Sequence, residues 1–169
     1  MLDLIFATAN NPANPLHSFY LQFLYELLAE RLDEPDTNIS HTKMPTWEEH
    51  IEFVQNGSGY KLHWVVCNAN ARRDCIGVVY LTEDNEIGVH IDRGHRDSGY
   101  GRWAIKELLA FCDSDLDSEA VFYANINPNN KRSIYLFKSL GFKEQDNTKN
   151  PEDAEHPQIT LAYSKKLVV

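Results

Sequence analysis

The segment from Ile87 to Arg102 constrains this chain more than any other stretch of it. A β-branched run, Ile87-Gly88-Val89-His90-Ile91, ends at Asp92, a loop carries Gly94, Gly99 and Gly101, and a helical pattern begins at Tyr100. No linker separates strand from helix, and another strand pattern follows at Ala120 to Ile126. Strand, helix, strand at this spacing points to a parallel crossover. The turn also has a chemical consequence. Free N–H groups at a helix N-terminus, with the dipole behind them, form an anion site. Glycines there let the backbone approach a phosphate and take unusual dihedrals. Arg93, His95, Arg96 and Arg102 make this the basic spot of an acidic chain, and a pyrophosphate fits it.

The remaining pattern surrounds this turn. Leu2 to Ala7 reads as a first strand, and Asn14-Pro15 as a helix start. Leu16, Tyr20, Phe23, Leu24, Leu27 and Leu28 then recur at helical spacing. Thr46 and Glu49 form a capping box for a second helix that closes at Asn56-Gly57. Strand patterns follow at Lys61 to Cys67, Cys75 to Leu81 and Glu86 to Ile91, the last two joined by Asp84-Asn85. Tyr100 to Cys112 and Pro128 to Leu140 read as helices, the second ended by Gly141. Phe142 and Ile159 to Tyr163 begin two final strands, separated by a polar stretch from Asp146 to Pro157 that should be a loop or flexible. Three strands in quick succession imply antiparallel pairing, so the expected fold is a mixed α/β sheet in one domain, residues 1–169.

Composition narrows the function. The 169 residues, 43% hydrophobic and 24% charged, suit one soluble core. No apolar run could span a bilayer, and Met1-Leu2-Asp3 opens no secretion signal, so a cytoplasmic protein is expected. Cys67, Cys75 and Cys112 are odd in number and make no CxxC pair, and read as small buried hydrophobes with neither disulfide nor zinc site implied. A net charge of −9 argues against nucleic acid and against anionic membrane as partners. A small anionic ligand answers to local charge and stays open.

Arg96-Asp97-Ser98-Gly99-Tyr100-Gly101 resembles the Arg/Gln-x-x-Gly-x-Gly/Ala loop with which GNAT acyltransferases hold the pyrophosphate of coenzyme A. A Rossmann site needs a third glycine in this turn, and residue 104 is alanine. A second block, Asn127-Pro128-Asn129-Asn130 through Ser139-Leu140-Gly141-Phe142, is similar to the other motif of that superfamily. The resemblance runs from Lys61 onward. It implies a GNAT-like, mostly antiparallel sheet with a central parallel pair of strands that splay apart, flanked by about four helices. It implies acetyl-CoA as cosubstrate and no metal. The backbone of Val89, His90 and Ile91 would pair with the pantetheine arm, Arg96, Asp97, Ser98, Gly99, Tyr100, Gly101 and Arg102 would hold the pyrophosphate, and Asn130 would contact the arm.

The implied reaction is attack of a neutral amine on the thioester, with a backbone N–H near Val89 to Ile91 polarising the carbonyl and a base taking the ammonium proton. Glu86 is the first candidate for that base and His90 the second; each has an ordinary structural alternative, as a solvated strand start and as a packing histidine. The chain departs from its relatives seven residues after Asn130. Many carry a tyrosine there as the acid for the thiolate, whereas Phe137 has no proton to give and would only line the cofactor. The thiolate then leaves unaided, or is protonated by water or another group.

The acceptor is less legible. Ile39 to His41 and Met44 to Phe53 fall where this fold lines the acceptor site. The pattern Glu49-His50-x-x-Phe53, with Cys75-Ile76-Gly77-Val78, is similar to GNAT enzymes acting on nucleotide-linked amino sugars and, loosely, to the branch acting on protein N-termini. Trp47 and Trp64 could stack on a sugar or base, or belong to core and rim. A small-molecule amine such as an amino sugar is the expected acceptor. A protein N-terminus, a non-catalytic domain that binds coenzyme A and a ligand-free structural module are the alternatives, and exposed strand edges leave a homodimer open.

Overall fold

The computed structural model describes residues 4–8, 11–37, 43–56, 59–115, 120–145 and 158–164. The elements run β1 (Leu4–Thr8), α1 (His17–Leu32), α2 (Trp47–Asn56), β2 (Tyr60–Asn68), β3 (Ala71–Thr82), β4 (Ile87–Ile91), a 3₁₀ turn (Arg93–His95), α3 (Tyr100–Asp115), β5 (Phe122–Ile126), α4 (Lys131–Ser139), β6 (Lys143–Glu144) and β7 (Ile159–Tyr163). Several expected boundaries shift: β3 begins at Ala71 ahead of Cys75, α3 runs on past Cys112, β5 begins at Phe122, and two helix starts move for a clear reason. Helix α1 begins at His17, because Asn14 uses its side-chain oxygen to accept from Leu16 N and forms a turn ahead of the helix. Helix α4 begins at Lys131, because Asn130 is its N-cap and accepts from Ser133 N at 3.0 Å. The capping box forms as expected: Thr46 N donates to Glu49 Oε2 at 2.7 Å and Glu49 N to Thr46 Oγ1 at 3.2 Å. Gly57, Ile39 to His41 and Asp146 to Pro157 lie outside the described residues.

The strands make two antiparallel sheets, β1-β2-β3-β4 and β5-β7-β6. Edge strands β4 and β5 meet at one parallel bridge, Glu86 with Tyr123, where Tyr123 N also donates to Asn85 O at 2.9 Å. Beyond it, among the described residues, β4 pairs only with β3 and β5 only with β7.

Helices cover both faces of the first sheet, and the alternation along β2 and β3 feeds two cores. Val65, Cys67, Cys75 and Val78 pack with Tyr20, Leu24 and Leu27 of α1 and Val54 of α2. Val66, Ile76, Val79 and Leu81 pack with Ile105 and Leu108 of α3 and with Phe137 of α4. Ile76 and Val78 share a parity yet face opposite cores, because Val66 pairs with Gly77 and Cys67 with Cys75, leaving Ile76 as the extra residue of a bulge. All three cysteines are buried and free, with Cys67 and Cys75 sulfurs 3.1 Å apart across β2 and β3.

Phe137 belongs to the second core. Helix α4 closes with Gly141 N donating to Lys138 O and Phe142 N to Phe137 O, the paired bonds of a Schellman ending. That motif brings its flanking hydrophobes together, and Phe137 and Phe142 meet edge-on at 5.0 Å, each 2% exposed.

An ionic strut ties α1 to the loop after β4. Glu34 accepts from Arg96 Nη1 at 2.7 and 3.0 Å and from Arg93 Nε at 2.6 Å. Glu30 accepts from Arg96 Nη2 at 2.6 Å and from Arg93 N at 3.1 Å. Arg96 Nε donates to Ile91 O at 2.8 Å, so this one guanidinium joins α1, β4 and the loop. Burial pushes the Glu34 carboxyl up, but hydrogen bonds from Arg96 and Arg93 outweigh it and hold the carboxyl below its ordinary 4.5.

Two outcomes follow from this packing. Phe137→Ala should cost about 3–5 kcal/mol in denaturant melts, the range for truncating a buried phenylalanine. Stability contributed by Glu34 is present above its unfolded pKa and lost as pH falls through the depressed folded value. Glu34→Gln should therefore cost roughly 1–2 kcal/mol at pH 7 and progressively less in urea melts as pH drops below 4.5.

Candidate functional site

A cavity of about 890 Å³ opens between β4 and β5, within the range that holds a cofactor-sized ligand. One end is walled by α1, α2 and the inner face of the first sheet, the other by the N-termini of α3 and α4.

The second end is built from backbone. The first intrahelical bond of α3 runs from Trp103 N to Gly99 O at 3.0 Å, so the N–H groups of Tyr100, Gly101 and Arg102 have no intrahelical acceptor. Gly99 holds φ +84°, a left-handed conformation that other residues rarely adopt, and a Cβ there would meet nothing within 4 Å. The loop is thus open to a ligand where the dipole is positive. At Gly101 a Cβ would stand 3.4 Å from Leu136 of α4, at the edge of ordinary van der Waals contact.

Among residues expected to hold the cofactor, Val89, His90, Ile91, Arg96, Asp97, Gly99, Tyr100, Gly101, Arg102, Asn130 and Phe137 all reach the cavity wall. Ser98 does not; it is exposed, with its hydroxyl donating to Arg96 O at 3.4 Å. The charge differs from the local reading. Arg93 and Arg96 are neutralised by Glu30 and Glu34, which lie some sixty residues upstream, so the basic spot reduces to Arg102 and Arg132. Arg102 is anchored to Ser139 Oγ at 2.6 Å, and Arg132 pairs loosely with Asp97 at 3.4 Å. Asn130 has committed its oxygen to the α4 cap, which leaves its amide N–H₂ as the group it can offer.

Strand β4 divides its duties by parity. Thr82 N donates to Glu86 O and Asp92 N to Ile76 O, so even-numbered residues direct their backbone groups to β3. Val89 and Ile91 direct theirs toward the opening, and Arg96 takes the Ile91 carbonyl. The Val89 N–H and C=O and the Ile91 N–H therefore face the cavity, whereas the backbone of His90, paired with Val78, does not. Side chains follow the complementary rule. Val89 and Ile91 pack toward α3, while Glu86 and His90 stand on the α1 side with Gly88 between them. Four residues of strand separate Glu86 from His90 by roughly 13 Å.

Their environments differ. Burial raises the Glu86 carboxyl above its ordinary value, against a hydrogen bond with Asn125 and the nearby Arg31 charge. Burial lowers the His90 imidazole, against a hydrogen bond with Glu30 and assisted by the charges of Arg96 and Arg31. His90 Nε2 stands 3.2 Å from Glu30 Oε1 and 3.4 Å from Arg96 Nη2, so that nitrogen is already engaged.

The first end of the cavity is aromatic. Tyr60 stacks on His63 at 4.9 Å and meets Tyr80 edge-on at 5.0 Å, with Phe53 edge-on to Tyr60 at 5.7 Å. Gly88 makes room for this wall: a Cβ there would lie 2.0 Å from the Tyr80 ring. Burial pushes the Tyr60 phenol up to about 12, and burial and then His50 lower the His63 imidazole to about 4. The expected tryptophans are elsewhere. Trp47 packs on Tyr25 and His50, and Trp64 on Phe6 and Phe111, so neither reaches the cavity. Glu49 is taken by its capping box, and buried His50 shares a 3.0 Å hydrogen bond with Leu21 O.

Sequence reading missed Glu30, Arg31, Glu34, Tyr60, Tyr80 and Arg132 at this site. One signal was available for the glutamates. Acidic residues at and just beyond the C-terminal turn of a helix oppose its dipole and call for a compensating partner.

Comparison with known proteins agrees with this architecture. Residues 24–143 match the family model of the acetyltransferase (GNAT) domain. No curated protein matches the sequence. Among solved structures, spermidine N-acetyltransferase from Vibrio cholerae, crystallised with CoA and spermine, superposes with a TM-score of 0.72 at 19% identity, over 95% of this chain and 93% of that one. A domain from Methanocaldococcus jannaschii gives 0.70 at 20% identity over 95% and 97%, and the Campylobacter jejuni N-acetyltransferase PseH gives 0.64 at 14% over 96% and 99%. At these identities the superpositions establish the fold, and the model match covering residues 24–143 establishes the family. The chain belongs to the GNAT acetyltransferase family and is an acyltransferase.

Proposed function

We propose that this chain transfers an acetyl group from acetyl-CoA to the primary amine of a small molecule. The observation that carries the reading is the continuity of one cavity from the open N–H groups of α3, past the free backbone of Val89 and Ile91, to Glu86. The residues fit the cosubstrate. Gly99, the N–H groups of Tyr100 to Arg102, and the Arg102 and Arg132 guanidinium groups suit a pyrophosphate. Val89 and Ile91 suit an amide-bearing arm lying along β4 as an added strand. Acetyl-CoA supplies the activated acyl carbon; the new C–N bond replaces the C–S bond, and the amine proton passes to a base.

Glu86 serves as that base. Its carboxyl lies on the cavity wall and its raised pKa moves it toward the operating pH, where a general base is most effective. His90 is a weaker candidate because Glu30 and Arg96 occupy its Nε2. It orients the strut beneath the strand. The N–H of Val89 or of Ile91 is the donor for the acyl oxygen. Phe137 takes no proton-transfer role, since the α4 ending requires a hydrophobe at that position; thiolate protonation falls to water. The half-buried aromatic wall of Tyr60, His63 and Tyr80 at the acceptor end suits a small molecule.

Thiol release from acetyl-CoA across a panel of amines tests the reading, with transfer to at least one amine expected and release with none contradicting it. Glu86→Gln should lower kcat about 100-fold or more with acetyl-CoA affinity unchanged. In the wild type the acid limb of kcat/KM should fall at a pH above 4.5, as the raised carboxyl protonates. An undiminished kcat would remove Glu86 from this role.

A further inference from the structure

We propose that Arg31 reads an anionic group, a carboxylate or a phosphate, on the acceptor and so places the acceptor amine beside Glu86. The inference rests on the amine-acylation reading and names the substrate class of that same site.

Arg31 lies in the last turn of α1, half-buried, on the wall of the large cavity and also of an adjoining 280 Å³ pocket. Among the described residues its guanidinium makes no ion pair, although Glu30 and Glu34 of the same helix end are each bound to Arg96. A half-buried cation without a carboxylate partner is costly unless something anionic completes it. The smaller pocket offers that completion. Tyr60, Tyr80, Thr82, Asn125 and Gln158 ring it with Arg31, and each carries a side-chain hydrogen-bond donor. Glu86 is the one acid on its wall among the described residues, and it is the proposed base. The Arg31 charge reaches this far, since it is felt by Tyr60, Glu86 and His90. An acceptor with its anion against Arg31 and its amine against Glu86 would leave its body on the Tyr60–Tyr80 wall.

The same arrangement disfavours a polycation. A polyamine needs several carboxylates, and at this end Glu30 and Glu34 are paired and Glu49 is committed to its cap. It would instead meet Arg31 and Lys43. The superposable spermidine N-acetyltransferases therefore share the fold with this chain and differ from it in acceptor.

Calorimetric binding to the CoA-loaded protein distinguishes these cases with matched pairs: phenylalanine against phenethylamine, and glucosamine 6-phosphate against glucosamine, with spermidine as the polycation. At least one member that carries the carboxylate or phosphate should bind tenfold or more tightly than its partner that lacks it, and the pair that discriminates identifies carboxylate or phosphate as the group read. Arg31→Gln should erase that preference with CoA affinity unchanged and melting temperature unchanged or raised, and Arg31→Lys should restore part of it. In turnover the loss should appear in KM with kcat little altered, which a merely structural role at the helix end would not produce. Equal binding within both pairs, tightest binding of spermidine, or a preference that survives Arg31→Gln would overturn the proposal. If the Arg31-dependent preference holds while no amine releases thiol, the anion site stands and the transfer reading fails.

Discussion

Everything at this site depends on how Arg96 is held. A guanidinium presents five donors in a rigid fork, and here they are divided among Glu34, Glu30 and the Ile91 carbonyl. That division fixes three elements at once: the end of α1, the last residue of β4 and the loop entering α3. The loop is short, and Gly99 in it is left-handed with open space around it. Without the strut, the N–H groups of Tyr100 to Arg102 would have no fixed relation to the free edge of β4. Arg96 thus shapes this end of the cavity through its side chain, while Arg102, Arg132 and the positive end of the α3 dipole supply the charge on its wall.

Strand β4 turns this frame into a site. Its single bridge to β5 at Glu86 sets where the two sheets part, and beyond that point the odd residues expose backbone while the even residues expose chemistry. Gly88 lies between Glu86 and His90, and its missing side chain lets Tyr80 and the aromatic wall come up to the strand. One edge strand therefore carries unpaired backbone at Val89 and a carboxylate at Glu86, roughly 10 Å apart along its length.

Much of this could be read from the sequence, because much of it is local. The turn from Ile91 to Tyr100, the capping box of Thr46 and Glu49 and the α4 ending at Gly141 each depend on residues within a few positions of one another. What could not be read depends on pairing at a distance. Arg93 and Arg96 looked like free phosphate ligands because their partners, Glu30 in the last turn of α1 and Glu34 just beyond it, lie some sixty residues away. Tyr60 and Tyr80 form a wall only through the β2–β3 register, and the bulge at Ile76 inverts a parity that the pattern alone would have continued. Phe137, read as a lost acid, is a structural residue whose partner is Phe142.

The central claim is that the open turn before α3 is where acetyl-CoA is held. Calorimetric titration of acetyl-CoA into the wild type and into Gly99→Glu tests it most directly, because a Cβ there meets nothing within 4 Å while the substitution adds negative charge to the loop and strains its left-handed backbone. Saturable binding to the wild type and a loss of at least a hundredfold in a folded Gly99→Glu protein are expected. Equal affinity in the two, or no binding to a folded wild type, would contradict it.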